Sequence, residues 1–138
     1  MTTRKTEPGT SQAGQDKSIL DAIIIGTGFA GICMGIRLKQ AGIHSFKILE
    51  QKETIGGTWR DNTYPGAECD VQSHLYSYSF EPNPNWKKMF GEQSEILAYM
   101  NFCVDKYNLR HLMAFNTSVT GIYFDEKRGL WEVHTENE

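Results

Sequence analysis

The stretch Ala22-Ile23-Ile24-Ile25-Gly26-Thr27-Gly28-Phe29-Ala30-Gly31 decides how the chain folds. Ala22 to Ile25 is a continuous, mostly β-branched apolar run, the pattern of a strand buried on both faces. It runs without a spacer into a Gly-x-Gly-x-x-Gly turn. Beyond it, Ala30, Met34, Leu38 and Ala41, with Ile32, Cys33 and Ile36 beside them, recur at helical spacing, and Gly42 offers a C-terminal stop. Phe46-Lys47-Ile48-Leu49-Glu50 then reads as a second short strand. Strand, helix and strand thus follow one another within ~30 residues. The expected fold class is α/β, Rossmann-like, with Ile23–Ile25 central in a parallel sheet and Phe46–Glu50 beside it.

The chemistry of that turn is specific. Gly26 allows the tight exit from the strand, Gly28 lets the backbone approach a pyrophosphate, and Gly31 permits close packing of helix on strand. The helix N-terminus offers free N–H groups and a positive dipole end to phosphates. Glu50 lies 19 residues beyond Gly31, at the end of the second strand. Its carboxylate can accept hydrogen bonds from ribose hydroxyls and would repel a 2′-phosphate, so an adenosine with a free 2′-OH is expected. This unit alone leaves FAD and NAD equally open.

The remainder reads as support. Ser94 is the expected N-cap of a helix with Glu95 in its first turn. Ile96, Leu97, Met100, Cys103, Val104 and Tyr107 form its core-facing stripe. Residues 118–124 and 130–135 are β-rich and flank Asp125-Glu126-Lys127-Arg128-Gly129, so an added antiparallel hairpin is expected. Tyr78 and Phe80 read as core aromatics. Residues 1–18 hold only Met1 and Ala13 from the apolar set and read as a disordered tail. Residues 19–138 then form a single domain.

Other function classes are disfavoured by composition. Lys and Arg total 14 against 17 Asp and Glu, a net charge of −3, which argues against a nucleic-acid partner. No apolar run approaches the ~20 residues of a membrane span, and the tail lacks the apolar core of a signal peptide. Cys33, Cys69 and Cys103 form no C-x-x-C pair and read as free thiols of a reducing compartment, so a cytoplasmic location is expected. His44, His74, His111 and His134 are scattered, so no metal site is expected.

Gly56-Gly57-Thr58-Trp59 follows the second strand. Tyr64-Pro65-Gly66-Ala67-Glu68-Cys69-Asp70 comes next, closing on Tyr76-Ser77-Tyr78-Ser79-Phe80 and Glu81-Pro82-Asn83-Pro84-Asn85-Trp86. With the glycine turn, these phrases resemble the class B flavoprotein monooxygenases, and within them the Baeyer–Villiger monooxygenases, over residues 20 to 135. The resemblance implies an FAD-binding N-terminal portion of an NADPH-dependent enzyme that inserts one oxygen atom from O2 into ketones or heteroatom substrates.

Position by position, the resemblance implies that Gly26, Gly28, Phe29, Ala30 and Gly31 line the FAD pyrophosphate and Glu50 the adenosine ribose. Gly57, Thr58 and Trp59 would lie along the diphosphate and flavin side, and Val119 would contact the adenine through its backbone. Asp70 and Tyr76 match positions near the isoalloxazine, and Cys69 lies in a segment that approaches NADPH. Asp70 is the candidate catalytic residue, holding an arginine supplied by the rest of the enzyme; a loop cap is its plainer reading. The second dinucleotide fold and the linker signature of the family are not found in these residues. The expectation is therefore a truncated FAD-binding domain, incomplete at its C-terminus and inactive alone. Two alternatives stay open: a fragment of an N-hydroxylating or flavin-containing monooxygenase, and a non-catalytic FAD- or nucleotide-binding module. The phrase from Tyr64 to Phe80 argues against the first.

Overall fold

The computed structural model describes residues 19–136. The tail expected over residues 1–18 lies outside them. Strand β1 (Ala22–Ile25) leads through the glycine turn into helix α1 (Phe29–Gln40) and back to β2 (Phe46–Leu49). These strands pair in parallel, Ala22 opposite Phe46 and Ile25 opposite Leu49. A four-residue helix, α2 (Thr58–Asp61), precedes β3 (Glu68–Gln72), β4 (Phe90–Glu92) and helix α3 (Gln93–Lys106). A two-residue strand, β5 (Met113–Ala114), adds to the far side of β2 in parallel. The hairpin β6 (Val119–Asp125) and β7 (Leu130–Thr135) closes the described chain. The result is the α/β architecture expected: a parallel sheet in the order β1-β2-β5 with two separate antiparallel pairs, β3-β4 and β6-β7.

The core lies on one face of the parallel sheet. Ile32 and Ile36 of α1 are fully buried, as are Ile96, Met100, Cys103 and Val104 of α3, against Phe46 and Ile48 of β2. Gly35 lets α1 approach this layer, since a Cβ there would stand 2.9 Å from the Ile48 Cδ1. Lys39 joins the two helices, its Nζ donating to the Tyr107 and Asn108 carbonyls at the end of α3. The three cysteines are free, and burial pushes the Cys103 thiol up to about 11. No helix among the described residues is long and apolar enough to cross a membrane.

Two expectations are corrected. Among the described residues β2, not β1, is the central strand, and β1 is covered on only one face. Ile24 packs into the core while Ile23 and Ile25 are 39% and 52% exposed. A run of three isoleucines is compatible with two-sided burial, but α1 and α3 cover a single side. The second correction concerns Ser94: α3 starts at Gln93, and Glu92 occupies its N-cap position with extended backbone. Pairing of β4 with β3 and a bond from the Gln93 N–H to the Ala67 carbonyl set that start two residues earlier.

This asymmetry makes a stability prediction. Ile48→Ala should cost about 2–5 kcal/mol because it opens a cavity in the sealed layer, whereas Ile25→Ala should cost under about 1 kcal/mol. Urea denaturation followed by circular dichroism checks both, and equal losses would contradict a one-sided core.

Candidate functional site

All three strands of the parallel sheet point the same way, so their C-terminal ends gather at one edge, where α/β sheets bind ligands. The glycine turn leaves β1 at this edge. Gly26 takes φ +90°, a conformation suited to glycine, and its N–H donates to the Leu49 carbonyl at 2.7 Å. A Cβ on Gly31 would lie 2.0 Å from the Gly26 carbonyl oxygen, so helix and turn meet there backbone to backbone. Gly28 differs: a Cβ would meet nothing within 4 Å, because this residue faces open space. It is the N-cap of α1, with no side chain capping the helix and no acid in the first turn. The uncapped N–H groups and the positive dipole end are therefore available to an anion.

The second wall of the site comes from the loop after β2. The Gly56 N–H donates to the Thr27 carbonyl at 3.1 Å. Gly57, at φ +52°, approaches so closely that a Cβ would stand 3.2 Å from the Gly28 Cα. Turn and loop enclose a cavity of about 450 Å³ that Gly26, Gly28, Glu50, Gly57, Thr58 and Val119 share. Those six expected residues are brought together. Ala30 and Gly31 sit in the first turn of α1 behind them.

Glu50 lies at the inner end of this cavity, 3% exposed. Its Oε2 accepts from the Thr27 N–H at 2.9 Å and the Thr27 hydroxyl at 2.6 Å. Its Oε1 accepts from the Lys52 N–H at 3.0 Å and lies 3.1 Å from Arg60 Nη1. Burial pushes the carboxyl pKa up, but the Thr27 hydroxyl, the two N–H groups and the Arg60 charge outweigh it and hold it below the ordinary carboxylate value. The backbone of Glu50 is engaged too, donating to Ala114 and accepting from Thr117. The carboxylate is thus ionised and fixed, already holding four partners.

Phe29, Trp59 and Tyr76 turn away from the cavity into an adjoining aromatic cluster. The Trp59 Nε1 donates to the Tyr76 hydroxyl at 3.0 Å, and the Phe29 ring lies 4.9 Å from the rings of Tyr76 and Tyr78. Tyr78 is buried, with its hydroxyl on the Phe29 carbonyl, and Phe80 stacks on it. Cys69 and Asp70 are not part of the cavity. Cys69 is buried in β3, its Sγ accepting from the Val71 N–H, while Asp70 is exposed and makes no side-chain hydrogen bond among the described residues. Two site residues escaped the sequence reading. Thr27 is a free position of the glycine motif, and Arg60 carries no local signal linking it to an acid ten residues earlier.

The turn makes a clean pair of predictions. Gly31→Ala should destabilise the chain by roughly 3 kcal/mol, since its methyl collides with backbone. Gly28→Ala should stay within ~1 kcal/mol, the modest difference between these residues as N-caps. Thermal or urea unfolding of the two variants separates them.

Comparison with known proteins gives three kinds of likeness. Residues 24–92 match the family of NAD(P)-binding Rossmann-like domains. A Baeyer-Villiger monooxygenase of Pseudomonas aeruginosa is 51% identical over 111 residues, 80% of this chain and 21% of that protein. Among solved structures, an oxidized steroid monooxygenase bound to NADP superposes with a TM-score of 0.81 at 38% identity. The alignment covers 86% of this chain and 23% of that one. OTEMO in complex with FAD and NADP gives 0.80 at 38% identity, with the same coverage of each chain. The chain spans about a fifth to a quarter of the length of these relatives.

Proposed function

Since the chain belongs to the family of NAD(P)-binding Rossmann-like domains, we propose that residues 19–138 hold FAD in the cavity at the glycine turn. In this reading they are the FAD-binding part of an NADPH-dependent monooxygenase that inserts one oxygen atom from O2 into a ketone or heteroatom substrate. The observation that carries it is the open position at Gly28 beside an uncapped helix N-terminus, with a fixed carboxylate at the end of the neighbouring strand. A site with those three features fits a dinucleotide with a free ribose diol. The similar structures, a steroid monooxygenase bound to NADP and OTEMO in complex with FAD and NADP, support FAD as the ligand and NADPH as the reductant.

The assignment of parts follows the resemblance. The pyrophosphate takes the N–H groups from Gly28 to Gly31, where the backbone comes close because Gly28 has no side chain. Glu50 takes the ribose, Val119 the adenine through its backbone, and Gly57 and Thr58 the opposite wall, with Trp59 behind them in the aromatic cluster. Tyr76 and Asp70 flank the flavin end, with Cys69 in the segment facing NADPH. When bound, FAD would supply the redox-active ring that takes reducing equivalents from NADPH and passes them to O2. Asp70, exposed and without a local partner, suits a role completed by a cation from another part of the enzyme better than that of a loop cap. Free thiols suit a cytoplasmic setting.

Fluorescence titration of the full chain with FAD tests the reading. Wild type should bind saturably, and Gly28→Val should lose binding because its side chain enters the pyrophosphate path. Glu50→Ala should weaken it by ~1.5–3 kcal/mol, about ten- to a hundredfold. Asp70→Ala, at the flavin end, should lower FAD affinity far less than either. Equal affinity for wild type, Gly28→Val and Glu50→Ala would overturn the proposal.

A further inference from the structure

Arg60 projects from α2 across the loop that follows Glu50 and is only 14% exposed. Its Nη1 reaches Glu50 Oε1 at 3.1 Å and also donates to the Thr54 carbonyl at 2.7 Å. Its Nε and Nη2 fork over the two carboxylate oxygens of Asp61 at 2.7 and 3.1 Å. The guanidinium is therefore pinned on three sides, with one edge turned to the acid that the nucleotide reading assigns to the ribose. Nothing in the resemblance or in the glycine motif assigns it a role.

We infer that Arg60 is a positioning residue of the nucleotide site: it keeps the Glu50 carboxylate charged and turned along the Thr27 edge of the glycine turn, so that a ribose hydroxyl meets a fixed acceptor. The inference rests on the reading of the cavity as a nucleotide site. Of the four partners of Glu50, three are neutral donors from Thr27 and Lys52; Arg60 alone brings a full charge. A buried carboxyl without a counter-charge is driven toward its neutral form, in which one oxygen becomes a donor and acceptor capacity is lost. The groups facing Glu50 are Thr27 from the turn, Lys52 from the loop, and Arg60 from α2 with Asp61 bound behind it. The chain entering β6 contributes only uncharged Thr117, Ser118 and Val119. Among the described residues no second cation lines the cavity to replace Arg60.

The test is calorimetric titration of the full chain with ADP between about pH 3.5 and pH 8, a range that spans the ordinary carboxylate pKa. Wild type, Arg60→Gln, Arg60→Lys and Glu50→Gln are compared, each verified as folded by circular dichroism. Arg60→Gln should bind about tenfold more weakly at neutral pH, the worth of a charge-assisted contact. The pH at which its binding fails should also rise, since Glu50 then takes up a proton earlier. Arg60→Lys keeps the charge but not the fork, so it should lose affinity a few-fold with the acid limit in place. An Arg60 that merely braced the loop would lower affinity by the same factor at every pH. That result, or wild-type behaviour of Arg60→Gln, overturns the inference. If Arg60→Gln does not fold, Arg60→Lys decides: wild-type affinity or a displaced acid limit overturns it. Failure of the underlying reading looks different, because wild type would then bind no ADP or Glu50→Gln would bind it as wild type does.

A readout without ligand uses acid unfolding. The Glu50 pKa is lower in the folded chain than its ordinary value, so its stabilisation is present above that value and is lost as pH falls through the folded one. Arg60→Gln should raise the acid-unfolding midpoint when Glu50 is present and leave it unmoved in Glu50→Gln. Equal shifts in both backgrounds overturn the pairing.

Discussion

The site is organised around one buried carboxylate. Glu50 stands where β2 ends, and its two oxygens tie together the turn after β1, the loop after β2 and the helix α2. Its backbone holds the end of β5 and the start of the segment that leads to β6. A charge taken out of water is tolerated only when it is paired and hydrogen-bonded, and here the partners come from three stretches of chain, at Thr27, Lys52 and Arg60. That requirement couples segments remote in sequence. The loop cannot shift without stripping the acid, and the acid cannot turn without releasing Thr27 and the glycine turn.

Around this point the fold supplies a rigid back and an open front. α1 and α3 seal one face of a small parallel sheet, and the contact of Gly31 with Gly26 fixes where the N-terminus of α1 emerges. The aromatic cluster of Phe29, Trp59, Tyr76, Tyr78 and Phe80 fills the space behind the turn, with buried donors paired to hydroxyl or carbonyl oxygens. In front, Gly26 and Gly28 present bare backbone to the cavity. Binding capacity thus resides on loops, while the helices and the sheet hold those loops to their geometry.

The parts legible in the sequence were those whose signals are local. The glycine turn, the helix behind it and the following strand with its terminal acid form one short unit, so spacing alone sets their relation. The β6-β7 hairpin was readable for the same reason, since Gly129 at φ +64° closes a turn inside a few residues. What escaped depends on distant chain. β3 and β4 pair across some twenty intervening residues, and α2 is too short to show a period. The exposure of Ile23 and Ile25 follows from what covers β1, which no run of isoleucines encodes. Glu92 rather than Ser94 begins α3 because strand pairing, not cap preference, sets that boundary. The union of Arg60 with Glu50 exists only after the loop has folded over the glycine turn.

The central claim is that Glu50 and the glycine turn form a single ligand-responsive unit at the sheet edge. Amide hydrogen exchange with and without ADP measures this directly, because it reports local opening segment by segment. The account predicts that ADP slows exchange together at residues 26–31, 50–60 and 117–119, leaving α3 and the rest of the β6-β7 hairpin unchanged. Protection confined to segments outside these three, or none at the glycine turn, would contradict it.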